Sequence, residues 1–273
     1  MERKAVFLDI DGTLVGFDGR MPESAKKALE QARRNGHKMF ICTGRPYGMV
    51  DPWLLGLGFD GVVASAGAYV RTRELVVFHQ TLELAYVRQV MAVIKDHGAL
   101  FMLHDRDHCY LSPGFYQFME ARDGNMGKKG KRMPGEVMFE EGMELPKELE
   151  SLDYFGADIT VEEIQAILEE KMPGYFAVTG SSFGSDHTYC GEITRRGTTK
   201  GSGMEKMLTH FGMCQADSIG VGDGMNDMDM LRYADMAVAM GNSVEPLKEL
   251  ADLVTDPIDQ DGLWNGFRKL GLI

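Results

Sequence analysis

Short, uninterrupted apolar runs alternate with amphipathic stretches along the first 80 residues. Ala5-Val6-Phe7-Leu8 is apolar throughout and stops at Asp9. From Pro22 to Arg34 the period is helical: Ala25, Leu29 and Ala32 share a stripe, Pro22 stands in the first turn and Gly36 ends it. A second apolar run, Lys38 to Cys42, closes on Thr43-Gly44-Arg45-Pro46. Another short helix precedes a third run, Gly61-Val62-Val63-Ala64. Strand, helix, strand, helix with short loops predicts a parallel sheet with helices on both faces.

The texture returns near the other end. Lys200 to Phe211 is helical, Ser218-Ile219-Gly220-Val221 is a buried strand, and a helix starts at Asn226 and runs to Tyr233. Met236 to Ala239 is a further strand and Val244 to Ala251 a helix. Between the blocks lie helices at Tyr86 to His97 and Val161 to Glu170, with strand-like runs at Leu100 to Leu103 and Tyr175 to Thr179. The Gly- and Lys-rich stretch from Asp123 to Pro134 predicts no regular structure. An insert of that length far exceeds an ordinary loop of about 12–15 residues. The expected architecture is α/β: a doubly wound parallel-sheet core, residues 1–83 and 193–273, with an inserted α+β domain at 84–192.

Composition narrows the class without changing the architecture. Hydrophobic residues make 44% of the 273 and charged residues 26%, which excludes a disordered or disulfide-scaffold chain. The formal net charge is −12, opposed to a phosphate backbone, so no nucleic-acid or anionic-membrane partner is expected. Cys42, Cys109, Cys190 and Cys214 lie far apart with no CxxC pair, and the apolar run after the N-terminus is too short for a signal peptide. Both point to reduced thiols and a cytoplasmic location, with a small molecule as partner.

Four polar clusters fall just past an apolar strand or at a helix start: Asp9/Asp11/Thr13, Thr43/Gly44, Lys200, and Asp223/Asn226/Asp227. Ligands of open parallel sheets bind beyond the carboxyl ends of the strands, so the clusters are expected on one rim. Asp9 and Asp11, two apart, can aim at one spot, and Asp223 arrives from another strand. Carboxylates brought together need a cation between them, and Mg2+ suits such oxygen donors. Lys200 brings positive charge, Thr43 a hydroxyl, Gly44 an unscreened N–H, and Asn226 lies on the same face as Asp223. The set contains what phosphoryl transfer through an aspartyl-phosphate requires.

Asp9-Ile10-Asp11-Gly12-Thr13 resembles the DxDGT motif of the haloacid dehalogenase superfamily. Thr43-Gly44-Arg45 resembles its second motif, Lys200 its third, and Gly222-Asp223-Gly224-Met225-Asn226-Asp227 its GDGxND fourth. Their order, with a large insert between the second and third, is similar to the Cof-type, type IIB cap, sugar-phosphatase-like subfamily. The resemblance implies a Rossmann-like core, an α+β cap and Mg2+-dependent hydrolysis of small phosphate esters. It makes Asp9 the nucleophile and Asp11 the acid and then base. Asp9, the Asp11 backbone carbonyl and Asp223 hold Mg2+, while Thr43, Gly44, Lys200, Asn226 and the Ile10 amide hold the phosphate. Asp227 becomes a group orienting Lys200 or a metal-bound water. One departure stands out: in Ser65-Ala66-Gly67-Ala68, Ala66 occupies a position the family commonly fills with Asn. A phosphomutase sharing the aspartyl-phosphate, or a non-catalytic sensor of a phosphorylated metabolite, are the alternative readings.

His104 and His108, with Asp105 and Asp107 between them, read as a solvated turn between two strands and not as a metal cluster. Lys128, Lys129, Lys131 and Arg132 read as a solvated loop.

Overall fold

The computed structural model describes residues 2–16, 18–123, 135–180 and 189–273. The chain divides into two compact units, Met1–Gly44 with Pro52–His79 and Thr199–Ile273, and Arg45–Asp51 with Gln80–Thr198. The expected boundaries at 83/84 and 192/193 both fall inside the second unit, and Arg45–Asp51 joins it as well. The cause is local: the Gly48 N–H donates to the Arg106 carbonyl at 2.7 Å, and Met49 is buried with Met102, Cys109 and Leu111.

In chain order the first unit opens with β1 (Ala5–Leu8), α1 (Glu23–Arg34), β2 (Lys38–Cys42), α2 (Pro52–Leu55), β3 (Gly61–Ala64), β4 (Tyr69–Thr72) and β5 (Val76–His79). The second unit holds α3 (Leu84–Asp96), β6 (Leu100–Asp105), β7 (Cys109–Leu111), α4 (Phe115–Asp123), β8 (Glu136–Met138), β9 (Leu149–Phe155), α5 (Val161–Lys171), β10 (Phe176–Gly180) and β11 (Cys190–Arg195). The first resumes with α6 (Lys200–His210), β12 (Ser218–Gly222), α7 (Met228–Tyr233), β13 (Met236–Ala239), α8 (Glu245–Leu250), β14 (Leu253–Val254) and α9 (Gly262–Lys269).

The sheet of the first unit runs β14-β13-β12-β1-β2-β3-β4-β5, parallel as far as β3 and antiparallel beyond. β1 lies inside it, and every residue of Ala5–Leu8 is fully buried, as a parallel strand covered on both faces must be. On one face Ala5, Phe7, Phe40 and Val63 pack with Met204, Met207 and Leu208 of α6, Met230 of α7 and Leu247 of α8. α1 packs on β2 and against α9.

The register places the polar clusters. Leu8 pairs with Val221 on one side and Ile41 on the other, so Asp9, Thr43 and Asp223 leave neighbouring strands at the same edge. The ladder runs on one step, with the Asp9 N–H donating to the Val221 carbonyl at 3.0 Å. Lys200 is delivered by the start of α6, where Thr199 accepts from the Ser202 N–H and Ser202 Oγ accepts from the Thr199 N–H.

The second unit has a six-stranded sheet in the order β10-β11-β9-β6-β7-β8, antiparallel except for the β7–β8 pair. One face buries Leu103, Leu152 and Ile193 with Val87, Val90 and Ile94 of α3 and Ile164 and Leu168 of α5. The other carries Met102, Leu111 and Phe155, packed with Phe115 and Met119 of α4. Lys128, Lys129, Lys131 and Arg132 lie outside the described residues. Among the described residues no helix is long and apolar enough to cross a membrane, and the four cysteines form no disulfide.

After β3 the backbone turns through three successive left-handed residues, Ser65 (φ 46°), Ala66 (φ 49°) and Gly67 (φ 101°). Gly67 is required there, since a Cβ would sit 2.1 Å from the Thr199 carbonyl oxygen. Ala66 meets no such need, and the left-handed region costs a non-glycine residue about 1–2 kcal/mol, less for Asn. Ala66→Asn is expected to raise stability by about 0.5–1 kcal/mol, or ~2 °C in melting temperature. A thermal melt checks this; an unchanged or lower midpoint would show that the turn stores no strain at Ala66.

Candidate active site

Four charged side chains of the first unit meet in the interior: Asp9 is 5% exposed, Lys200 1%, Asp223 8% and Asp227 0%. The Lys200 ammonium donates to Asp9 Oδ1 at 2.7 Å and to Asp227 Oδ1 at 2.6 Å. Asp227 Oδ2 accepts from the backbone N–H groups of Asp223 (2.9 Å) and Gly224 (3.0 Å), so both its oxygens are engaged. Asp223 Oδ1 accepts from Thr13 Oγ at 3.3 Å. Its Oδ2 accepts from Asn242 Nδ2, also at 3.3 Å.

The loop after β1 is wound tightly enough to present this side. The Ile10 carbonyl accepts from the N–H groups of Thr13, Leu14 and Val15, and the Gly12 N–H donates to the Val15 carbonyl. Gly12 has φ 81°, and a Cβ there would lie 2.0 Å from Asp223 Oδ2, so only glycine lets the loop press against that carboxylate. Thr43 is buried, with its N–H on the Val63 carbonyl and its own carbonyl accepting from the Ala66 N–H at 3.1 Å. Gly44 stands beside Asn226: a Cβ at Gly44 would be 3.6 Å from Asn226 Nδ2. Asp11 is exposed, yet its charge raises both Asp9 and Asp223.

The charges do not balance. Burial lifts the Asp9 carboxyl well above the usual carboxylate range, and Asp227 and Asp11 add repulsion that Lys200 only partly offsets. Burial and the Asp227 charge push Asp223 up to about 7, against the Thr13 hydrogen bond and Lys200. Burial alone would lower Lys200, but Asp227 and Asp9 overcome it and hold the ammonium well above the ordinary lysine value. One oxygen each of Asp9, Asp223 and Asp227 lies within 4.8 Å of the others. Three buried carboxylates against one ammonium leave an excess of hard oxygen donors and negative charge, which fits a divalent cation such as Mg2+.

Asp9, Ile10, Asp11, Thr43, Gly44, Lys200, Asp223, Asn226 and Asp227 all belong to the first unit, and the structure joins Asp9, Lys200, Asp223 and Asp227 by direct contact or proximity. Asn242 was not foreseen, although it sits just past β13, where the same strand-end argument applies. His104 does not lie in the solvated turn expected for it: it is buried within β6, with Nε2 facing Asp153 Oδ2 at 3.1 Å, whereas His108 Nδ1 faces Asp105 Oδ1 at 3.3 Å in a turn closed by Asp105.

A buried aspartate clamped by lysine at the carboxyl edge of a parallel sheet, with two further carboxylates behind it, defines a class. The chain belongs to the haloacid dehalogenase-like hydrolases, whose family model matches residues 6–267, and it is a phosphatase of that superfamily. It is 30% identical over 281 residues to the Bacillus subtilis (strain 168) protein named "Putative phosphatase YkrA", covering 100% of both chains. It is 25% identical over 271 residues to 5-amino-6-(5-phospho-D-ribitylamino)uracil phosphatase YitU of Bacillus subtilis (strain 168), covering 94% of each. Its fold matches that of the subclass IIB sugar phosphatase BT4131 with TM-score 0.80 and 31% identity, over 99% of this chain and 100% of the other.

Proposed function

We propose that the protein is a Mg2+-dependent phosphatase of small phosphorylated metabolites, sugar phosphates or similar phosphomonoesters, working through an aspartyl-phosphate on Asp9. The observation that carries this reading is the buried Lys200 ammonium bridging Asp9 and Asp227 beside Asp223. In the first step an Asp9 oxygen attacks phosphorus, the ester P–O bond breaks, and Asp11 gives its proton to the departing oxygen. In the second Asp11 takes a proton from water, whose oxygen attacks phosphorus, releasing inorganic phosphate and restoring Asp9. The exposure of Asp11 suits a group that trades protons with substrate and water. Thr43, Gly44, Lys200, Asn226 and the Ile10 amide hold the phosphoryl oxygens, and Asp227 keeps Lys200 oriented. Asp9, the Asp11 carbonyl and Asp223 hold the cation, which supplies charge neutralisation for the phosphoryl group. The inserted α+β unit is the cap in this reading, and the substrate class follows from the sugar phosphatase and the phosphoribitylamino-uracil phosphatase it resembles.

The test is inorganic phosphate released from a panel of sugar phosphates, other metabolite phosphates and nitrophenyl phosphate, with Mg2+ and with EDTA. Stoichiometric, metal-dependent release is expected, strongest with sugar-like esters. Product isomerisation without phosphate release would instead identify a mutase. Release undiminished by EDTA would remove the metal from the mechanism.

A further inference from the structure

We propose that Asn242 is a positioning residue of the cation site, fixing the Asp223 carboxylate and tying it to the loop that carries Asp9. This rests on the metal reading given above. Asn242 Nδ2 donates both to the Gly12 carbonyl at 2.9 Å and to Asp223 Oδ2 at 3.3 Å. Its amide orientation is unambiguous: Oδ1 accepts from the Ile258 N–H at 2.9 Å, and turning the amide over would set an oxygen against two oxygens.

The contact does two things at once. With Thr13 on Oδ1 and Asn242 on Oδ2, the Asp223 carboxylate is gripped at both ends, so its plane is set while each oxygen keeps a lone pair for a cation. The same Nδ2 holds the Gly12 carbonyl, three residues from Asp9, so one amide fixes the spacing between the two strand ends that supply carboxylates. A neutral amide achieves this without spending the negative charge the cation needs. The backbone around it is independently secured: Met240 N–H donates to the Gly222 carbonyl and Val244 N–H to the Asp223 carbonyl. Removing the side chain therefore loosens Asp223 without dismantling the loop.

Groups that orient metal ligands typically contribute about 10–100-fold in metal affinity or activity. The experiment is calorimetric titration of the whole protein with MgCl2, wild type beside Asn242→Ala, with melts in EDTA and phosphate release at limiting and saturating Mg2+. The alanine variant is expected to bind Mg2+ about tenfold more weakly or worse, and to recover most of its rate at saturating Mg2+. If it fails to fold, Asn242→Ser, whose hydroxyl is too short to reach both oxygens, takes its place with the same expectation. A merely structural role would lower the melting point and the fraction of protein that binds, but leave the dissociation constant of that fraction unchanged. A wild-type dissociation constant in a folded variant overturns the role of Asn242. A wild type that takes up no Mg2+ overturns the metal reading itself, and this inference with it.

Discussion

Asp9→Asn is expected to lose phosphate release by roughly 10^4-fold or more, the scale on which removing a covalent nucleophile acts. An amide does not attack phosphorus, and it is a poor substitute for a carboxylate at a cation. The fold should survive, because an Asn oxygen can still accept from the Lys200 ammonium now held by Asp9 Oδ1. Stability in EDTA is the sharper part of the expectation. Without a cation, Asp9 is a buried carboxylate whose ionisation is resisted by its burial and by Asp227 and Asp11. Neutralising it removes repulsion and leaves the Lys200–Asp227 pair intact, so the variant should melt at or above the wild-type temperature. Activity loss with equal or greater stability separates a chemical role from a structural one. More than about 1% of wild-type activity in clean protein would sink the assignment of Asp9 as nucleophile.

That combination is legible in the sequence because the fold and the chemistry share one signal. A parallel strand buried on both faces is a continuous apolar run, so its end is visible as the first polar residue, and Asp9, Thr43 and Asp223 each mark such an end or lie one residue past it. Some elements escaped the sequence reading because their polar residues are buried or their apolar ones are not. β9 is Leu-Glu-Ser-Leu-Asp-Tyr-Phe, with Glu150 and Ser151 buried in the sheet, so its polarity masks a central strand. β5 is partly exposed at the sheet edge. The transfer of Arg45–Asp51 to the second unit was invisible for another reason: it depends on Gly48 and Met49 finding partners near residues 102 to 111.

The site shows the same division. Residue types and spacing marked the acids and the lysine, but not the geometry that gives each a different task. Asp227 differs from Asp223 only by what its oxygens meet: Lys200 and two backbone N–H groups in one case, Thr13 and Asn242 side chains in the other. The strained turn at Ser65–Gly67 is likewise a tertiary fact. The sequence marks Ala66 as a departure from the Asn the family commonly carries, but not the positive φ or the hydrogen bond to Thr43 that it has there.

Lys200→Met should destabilise the protein more than any exposed ion-pair change. Methionine fills much of the same space with an unbranched, adaptable chain, so the loss is chiefly of charge. It leaves Asp9, Asp223 and Asp227 close together with no ammonium among them. Breaking a buried pair by deleting one partner costs about 3–5 kcal/mol, against roughly 0–1 kcal/mol for a surface pair. The expected fall in melting temperature in EDTA is about 10 °C. Lys26→Met, which breaks the exposed pair with Glu23, serves as the control and should shift it by ~1 °C. Two further readings bind the effect to charge. Mg2+ should raise the melting point of Lys200→Met more than that of wild type, since the cation then has three uncompensated carboxylates to neutralise. Adding Asp9→Asn to Lys200→Met should recover part of the loss, because the two substitutions act on one cluster and cannot be additive. Phosphate release by Lys200→Met should stay lower by about 10^2–10^3-fold even where Mg2+ restores the fold, because the ammonium proposed to meet the phosphoryl oxygens is gone. A Lys200→Met protein that melts with wild type in EDTA would show that the buried carboxylates do not depend on Lys200 for their balance, and the charge argument for the site would fall.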